Sequence, residues 1–414
     1  MDYISLLQAE MKPAFGCTEP IALAYAAAKA ESILDEFPNH IHARCSANII
    51  KNVKSVVIPN SGGRKGLAAA TVLGAIVGHP ERELEVLEAA TDEDRRWLGN
   101  LLDVNFCSVE LVEGVDNLYI EITAESDEQR AVVRIEGGHT HITYVELDGQ
   151  VIYAADALIK QSQDTCPMTF ESIYAFAKTG DVSGIIPQIQ QQIAYNSAIS
   201  NEGLNNDYGA NIGQLLLVDD DNPSFETKCK ARAAAGSDAR MSGCPLPVVI
   251  CSGSGNQGLT VSMPIITAAE ELQKSDEELY RALVFANLLT LYVKSGIGKL
   301  SAYCGVVSAG IVSVTGIAFL KGESKDIIEQ TLVNGLVSLS GIVCDGAKPS
   351  CAGKIAISLD GAFMGYKQAK MNKSYAKGDG LVAMSVDDTI KSIGVVAQGM
   401  KETDIVILNE MLKH

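Results

Sequence analysis

The sequence is poor in aromatic and basic residues. Phe, Trp and Tyr together make up 6% of the 414 residues, and only one Trp is present. Lys and Arg number 33 against 51 Asp and Glu, which gives a formal net charge of −18. Because an acidic surface repels a phosphate backbone, we expect no nucleic-acid partner.

Disulfide and secretion signals are also missing. Ten cysteines in a chain of this length are too few for a disulfide scaffold. The N-terminal stretch MDYISLLQAEMKPAFG lacks the basic start and apolar run of a signal peptide. We therefore expect a cytoplasmic protein with reduced thiols, in which grouped cysteines indicate metal binding or catalysis.

One uncharged segment, residues 301–320, has the length of a membrane span. Its sequence, SAYCGVVSAGIVSVTGIAFL, is diluted by glycine, serine and threonine. The prediction is a helix buried in the protein core, with no membrane association.

The composition is that of a globular protein with ample core material, since 47% of the residues are hydrophobic and 20% are charged. The length allows two or three domains. Alanine and glycine are abundant, and such small residues favour close packing between helices.

The pattern along the chain predicts an α+β fold with a large, mainly helical C-terminal domain and an inserted α+β domain. Residues 1–40 form an N-terminal helical segment that packs on the catalytic domain, with a helix from Pro20 closed by Pro38. Residues 41–164 form the α+β domain, and residues 165–414 form the helical domain.

Within the inserted domain, CSANIIKNVKSVVIPN is typical of a strand, and GLAAATVLGAIVG, ERELEVLEAA and DEDRRWLGNLL are typical of helices. Four runs with two-residue alternation then predict an antiparallel sheet: NFCSVELVE, NLYIEITAE, RAVVRIEG and THITYVELDG. Gly137 and Gly138 can form a hairpin turn between the last two.

Three cysteines in the helical region are candidate metal ligands. Cys344 and Cys351 are spaced as C-x₆-C in a segment that contains Gly346, and Cys304 lies earlier beside Gly305. A loop of this kind can place thiolates around an iron–sulfur cluster. The spacing alone is not specific, because buried cysteine is also common as a small hydrophobic residue.

Over essentially its whole length, the chain resembles the L-cysteine desulfidases, which are related to the α chain of iron–sulfur L-serine dehydratases. The segments that carry the resemblance are PAFGCTEPIALAYA, NSGGRKG, GSGNQG, the YCG around Cys304, and CDGAKPSC at 344–351. The serine dehydratases space their last two cluster cysteines more widely, so the desulfidase branch fits better.

The resemblance implies a [4Fe–4S] cluster on Cys304, Cys344 and Cys351, with one iron left free of protein ligands. It implies a lyase that needs no pyridoxal phosphate and converts L-cysteine to pyruvate, hydrogen sulfide and ammonia. Cys17, in the GCTEP motif, matches the catalytic cysteine of the family. It would remove the α-proton, or else occupy the open iron at rest.

Cys17 precedes a predicted helix, with Thr18 as its cap and Pro20 in its first turn. A thiol at this position feels the positive end of the helix dipole, which favours the thiolate. The competing interpretation is a small buried residue at a tight helix entry.

The NSGGRKG segment is a candidate site for the substrate carboxylate. Ser61, Gly62 and Gly63 offer backbone N–H groups ahead of a helix, and Arg64 and Lys65 add positive charge. An ordinary surface turn is the alternative.

The GSGNQG segment has the form G-x-G-x-x-G and follows the strand-like PLPVVICS. A nicotinamide oxidoreductase would use such a loop, but helices rather than a βαβ unit follow it, so we reject a dinucleotide site. Instead, Asn256 and Gln257 are expected to bind the substrate or to hold the cluster loop.

Two lysines and two histidines are weaker candidates. Lys294 and Lys299 can balance the charge of a cluster, or simply lie at a solvated helix end. His139 and His141 share one face of a strand and are expected at the surface.

The expected partner is a small amino acid, and the sequence leaves open whether the chain forms a homo-oligomer. Besides L-cysteine desulfidase, an iron–sulfur L-serine or L-threonine dehydratase would use the same residues. A non-catalytic iron–sulfur redox sensor is an alternative of another class, although no DNA-binding helix-turn-helix is apparent.

Overall fold

The computed structural model describes residues 1–155 and 168–413. In this part of the chain, helices predominate and the strands concentrate before residue 155, which confirms the predicted α+β class with a helical majority. The domain boundary predicted at 164 lies outside the described residues.

The N-terminal segment begins as predicted with helices but also contributes a strand. Its elements are α1 (Tyr3–Glu10), β1 (Pro13–Phe15) and α2 (Thr18–Glu31). Strand β1 pairs antiparallel with β8 (Pro247–Val249), which joins the start of the chain to the helical region. Helix α2 packs against the inserted unit.

The inserted unit contains a six-stranded sheet with helices beside it. Its elements are β2 (His40–Ser46), α3 (Ala47–Val53), α4 (Gly66–Val77), a 3₁₀ helix (Pro80–Glu85), α5 (Asp92–Asp103), β3 (Cys107–Val112), β4 (Tyr119–Glu125), β5 (Arg130–Glu136), β6 (Ile142–Leu147) and β7 (Gln150–Ala154). The strand order is β3-β2-β4-β5-β6-β7. The four predicted strands are β3 to β6, and only the β2–β3 pair is parallel.

The strand predicted within residues 45–60 is wrong over most of its length. The chain leaves β2 at Ser46, whose hydroxyl accepts a hydrogen bond from the Ile49 N–H and caps α3. Apolar residues in this short run fit either periodicity, and packing decided for a helix. The helix predicted in ERELEVLEAA is also reduced, to a 3₁₀ helix followed by turns.

The remaining described chain is helical apart from β8. Its helices are α6 (Phe170–Thr179), a 3₁₀ helix (Ser183–Ile185), α7 (Ile186–Asn205), α8 (Ile212–Leu215), α9 (Phe225–Met241), α10 (Gly255–Glu271), α11 (Asp276–Ser295), α12 (Gly305–Leu320), α13 (Lys325–Leu339), α14 (Ser350–Lys370), α15 (Val386–Gly399) and α16 (Lys401–Leu412). The apolar segment predicted to be a core helix is α12, and nearly all its residues are buried. Among the described helices, none is both long and apolar enough to cross a membrane.

Small residues allow close helix contacts, as the composition predicted. A Cβ atom on Gly74 of α4 would lie 2.2 Å from the carbonyl oxygen of Ala24 in α2, so the two backbones touch. A Cβ on Gly310 of α12 would lie 2.3 Å from the Ser358 hydroxyl of α14. These contacts fix the helices whose N-terminal ends carry Cys17, Cys304 and Cys351.

Candidate active site

Segments from both units and from the N-terminus line one cavity. Its empty volume is about 660 Å³ when the open mouth is included, which is in the range of small-ligand sites. Four cysteines from three separate segments of the sequence contribute to its wall: Cys17, Cys304, Cys344 and Cys351. The structure thus brings all of the predicted cysteine residues of the site together.

Cys304 and Cys344 are held side by side by the backbone. The Cys304 N–H donates to the Ile342 carbonyl at 3.1 Å, and the Cys344 N–H donates to the Ala302 carbonyl at 2.7 Å. The interaction between the two thiols lowers the pKa of Cys344 against the effect of burial, with help from Lys51. The same interaction, together with burial, raises the pKa of Cys304.

Cys351 enters the cavity from the first turn of α14. The loop before it wraps closely around α3, since a Cβ on Gly346 would lie 2.7 Å from the Lys51 carbonyl oxygen. The Cys351 thiol donates to the Gly346 carbonyl at 3.6 Å, and burial raises its pKa to about 11. Cys351 and Cys17 belong to one small buried cluster that also contains Val56 and Met241.

Cys17 is at the start of α2, but its predicted ionisation is wrong in direction. It is the N-cap residue itself, without a capping hydrogen bond from its side chain, whereas Thr18 was the predicted cap. Burial raises the pKa of Cys17 to about 12, although Arg240 acts to lower it. In the folded chain, the cost of removing the Cys17 thiolate from water outweighs its attraction to the positive end of α2.

Thr18 instead connects two of the sequence motifs. Its hydroxyl lies 3.0 Å from the Gly253 carbonyl oxygen and 3.1 Å from Oε2 of Glu19. The GCTEP and GSGNQG segments are therefore neighbours in the folded chain.

The NSGGRKG segment forms a closed turn outside the cavity. The Ser61 hydroxyl is buried and lies within hydrogen-bond distance of the Ile58 and Arg64 carbonyl oxygens, at 2.7 and 3.0 Å. Gly62 and Gly63 are exposed in left-handed conformations. Neither these glycines nor Ser61, Arg64 and Lys65 line the cavity, so their position gives no support to the predicted carboxylate site.

Asn256 and Gln257 do line the cavity, in the first turn of α10. The Asn256 Oδ1 accepts a hydrogen bond from Arg240. The Gln257 amide packs against Gly305, next to Cys304, and its Oε1 is buried without a hydrogen-bond partner. Strand β8 before this loop pairs antiparallel with β1, which differs from the parallel βαβ unit of a dinucleotide site.

The lysines near Cys304 take different positions. Lys294 is buried and lines the cavity; burial lowers its pKa to about 8, while Cys344 and Cys304 oppose this change. Lys299 forms an ion pair with Glu10 at 3.1 Å. Lys51, which the sequence did not single out, forms a buried ion pair with Asp404.

Glu19, His139 and Arg240 were also missed by sequence reasoning. The prediction that His139 lies at the surface is wrong, because it is 6% exposed and close to Glu19. Of these three residues, only Glu19 has a signal in the sequence, because it belongs to the GCTEP motif that contains Cys17. Arg240 lies on an otherwise ordinary charged helix, and nothing in its local sequence indicates a site.

The residues that line the cavity suit an iron–sulfur cluster better than a single metal ion. Among residues 1–155 and 168–413, no three His, Cys, Asp or Glu side chains are grouped as the ligands of a single metal ion. An iron–sulfur cluster has a different requirement, because each iron takes its own cysteine. Three cysteines on one cavity wall, with Lys294 and Lys51 nearby, fit this chemistry.

A family model described as "Serine dehydratase alpha chain" matches residues 81–409. The chain belongs to this family. The matched part of this serine dehydratase α-chain member contains Cys304, Cys344 and Cys351 but begins after Cys17. Membership indicates a lyase of the dehydratase type, in a family associated with iron–sulfur chemistry.

Relatives extend the similarity over the full chain. A "UPF0597 protein" of Finegoldia magna is 46% identical, with 100% of this chain and 99% of the relative covered. Proteins with the same family name from Desulfitobacterium hafniense and Lachnoclostridium phytofermentans are 46% and 43% identical, and the alignments cover 96% and 99% of those relatives. These names specify no substrate.

Proposed function

We propose that this serine dehydratase α-chain member is an iron–sulfur lyase that eliminates hydrogen sulfide from L-cysteine. The observation that carries the proposal is the meeting of Cys17 with Cys304, Cys344 and Cys351 on one cavity wall. The last three would hold a [4Fe–4S] cluster. When bound, its iron without a protein ligand supplies Lewis-acid activation of the leaving group.

In the proposed reaction, Cys17 accepts the α-proton of the amino acid. The electron pair of the Cα–H bond forms a Cα–Cβ double bond, and the Cβ–S bond breaks to release sulfide. Aminoacrylate rearranges to an imine, which water converts to pyruvate and ammonia. No oxidant or reductant is consumed.

The surroundings of Cys17 bear on this role. Burial and the nearby Glu19 carboxylate disfavour its thiolate, whereas the positive charges of Arg240 and Lys348 favour it. Water is largely excluded from Cys17, because the residue is 3% exposed. A thiolate formed there is poorly solvated and is therefore a stronger base than the same group in water.

An L-serine or L-threonine dehydratase is the second candidate, and the family description favours it. The same residues would bind the amino acid and remove the α-proton, and water would leave in place of sulfide. The two candidates differ only in the leaving group.

The test is anaerobic purification, iron and sulfide analysis, and assays with L-cysteine, L-serine and L-threonine in parallel. We expect about four irons per chain and faster pyruvate formation from L-cysteine. Faster turnover of L-serine would replace the desulfidase by the dehydratase. A chain loaded with cluster that turns over none of these amino acids would refute both.

Single Cys304→Ser, Cys344→Ser and Cys351→Ser variants test the ligands. Each is expected to lose most of its iron and its visible absorption. Cys229→Ala is the matched control, because Cys229 is buried on α9 with its thiol directed to the Pro264 carbonyl and does not line the cavity. Equal iron content in all four variants would contradict the assignment.

A further inference from the structure

Arg240 is a buried cation in the wall of the same cavity. It lies near the end of α9 and is 3% exposed. Its Nη1 donates to Asn256 Oδ1 at 3.1 Å, and its Nη2 donates to the Gly16 carbonyl at 2.8 Å. Its Nε is buried without a partner. The two acceptors that hold the guanidinium are therefore both neutral.

None of the ion pairs among the described residues includes Arg240, whereas two other cations at the cavity have carboxylate partners. Lys51 pairs with Asp404, and Lys299 pairs with Glu10. Glu19 also lines the cavity and attracts Arg240 electrostatically, but its carboxylate directly contacts Thr18, Asn52 and His139. A buried cation without a directly bonded carboxylate is unfavourable, so an anion that enters the cavity would be stabilised beside Arg240.

Lys294 also has no carboxylate partner among these residues, but it lies at the end of α11, on the segment that leads to Cys304. Arg240 is bonded directly to the segment of the proposed base, because its Nη2 donates to the carbonyl of Gly16, which precedes Cys17. A group bound by Arg240 is therefore close to the proposed base, where the α-carbon of the substrate has to lie.

The GSGNQG loop is shaped around this guanidinium. A Cβ atom on Gly255 would lie 2.4 Å from the Nε atom of Arg240 and 2.7 Å from its Cζ. Any larger residue would push the guanidinium away. This contact explains why a glycine is needed at position 255 without any role in nucleotide binding.

We propose that Arg240 binds the α-carboxylate of the amino-acid substrate, an inference that rests on the proposed lyase function and names the residue that orients its substrate. The planar guanidinium donates paired N–H groups that match the two carboxylate oxygens. Arg240 thereby takes the role that the sequence suggested for Arg64 and Lys65.

The test compares L-cysteine with L-cysteine methyl ester, which has the same leaving group but no carboxylate charge. In the anaerobic holoenzyme, Arg240→Gln is expected to lower kcat/KM for L-cysteine by about 10- to 100-fold and to change kcat/KM for the ester much less. Arg240→Lys should be intermediate, because it keeps the charge but loses the planar pair of donors.

Two variants complete the design. Gly255→Ala should reproduce the loss of preference for the acid over the ester, since it displaces the guanidinium. Arg232→Gln is the control on the same helix, because Arg232 pairs with Glu270 at the surface, and it should behave as the wild type. An equal loss for acid and ester in Arg240→Gln would show a purely structural role and overturn the proposal.

Binding of the unreactive amino acid L-alanine provides a readout that does not need turnover. Calorimetry with the wild-type holoenzyme should detect binding that weakens by about 10-fold or more in Arg240→Gln. If the wild type binds L-alanine but eliminates nothing from L-cysteine, L-serine or L-threonine, the lyase function is refuted and the carboxylate site is kept. No binding by the wild type, or equal binding by both proteins, would overturn the role of Arg240.

Discussion

The Nε2 atom of His139 lies 3.8 Å from Oε1 of Glu19. His139 is in the turn between β5 and β6, whereas Glu19 is in the first turn of α2, and both are buried. Burial alone would raise the pKa of Glu19, but His139, assisted by Arg240, lowers it to about 2. A residue of the β5–β6 turn therefore stabilises an ionised carboxylate close to Cys17.

We expect Glu19 and His139 to be energetically coupled. In a cycle of Glu19→Gln, His139→Gln and the double variant, the coupling should be about 1–3 kcal/mol in the free energy of unfolding, because each change leaves the other buried group without its partner. Urea unfolding of each protein measures it. His141→Gln in place of His139→Gln is the control. Additive effects of the first pair would contradict the coupling.

Cys17→Ala should lower kcat by about 10²- to 10⁴-fold, the usual contribution of a general base. Iron content should remain that of the wild type, since Cys17 is proposed to act on the substrate. Steady-state kinetics and iron analysis of the same preparation check both statements. Loss of iron comparable with that of Cys351→Ser would instead make Cys17 a cluster ligand.

The buried ion pair of Lys51 and Asp404 should contribute strongly to stability. Lys51 also donates to the Cys344 carbonyl at 3.3 Å, so the pair connects α16 to the cysteine loop. Asp404→Asn should lower the free energy of unfolding by about 3–5 kcal/mol, since it leaves a buried ammonium unpaired.

The control for this prediction is a more exposed pair. Lys230 and Asp360 are 2.6 Å apart, and the Asp360 side chain is 60% exposed. Asp360→Asn is expected to change the free energy of unfolding by at most about 1 kcal/mol. Similar losses in Asp404→Asn and Asp360→Asn, measured by urea unfolding, would show that burial adds nothing to the first pair.

Asp238 should make stability fall as pH rises. Burial raises its pKa from 3.8 to about 6, against hydrogen bonds from the Gly213 and Ile212 N–H groups. A raised pKa in the folded state means that the stability contributed below pH 3.8 is lost as pH rises through about 6.

Asp238→Asn cannot ionise and keeps an oxygen that accepts the Gly213 N–H. Relative to the wild type, it should therefore gain about 1–2 kcal/mol of unfolding free energy between pH 4 and 7, after allowance for solvent screening. Urea unfolding at both pH values measures this difference. If the difference in unfolding free energy between Asp238→Asn and the wild type is the same at both pH values, the raised pKa of Asp238 is contradicted.

Much of the fold could be predicted from local patterns. The two-residue alternation predicted β3 to β6, and the absence of charge between residues 301 and 320 predicted the buried helix α12. The segment after Ser46 was misassigned because its apolar residues fit both a strand and a helix. The parallel pairing of β2 with β3 also has no local signature, since it depends on which strands the sheet brings together.

The candidate site was predicted unevenly. Cys17, Cys304, Cys344 and Cys351 were identified through the family resemblance, and the structure places them at one cavity. His139 was assigned to the surface because strand alternation shows only which residues share a face, and it does not show what that face packs against.

By itself, the sequence determined the chemical groups available, the amphipathic elements and the acidic charge of this protein, because these depend on residue type and short spacing. Only the tertiary structure decided that Arg240 and Glu19 border the cavity, that Lys51 is paired, and that the NSGGRKG turn lies apart. Burial and partner distance set the energy of a charged group, and both arise from segments that meet only when the chain folds.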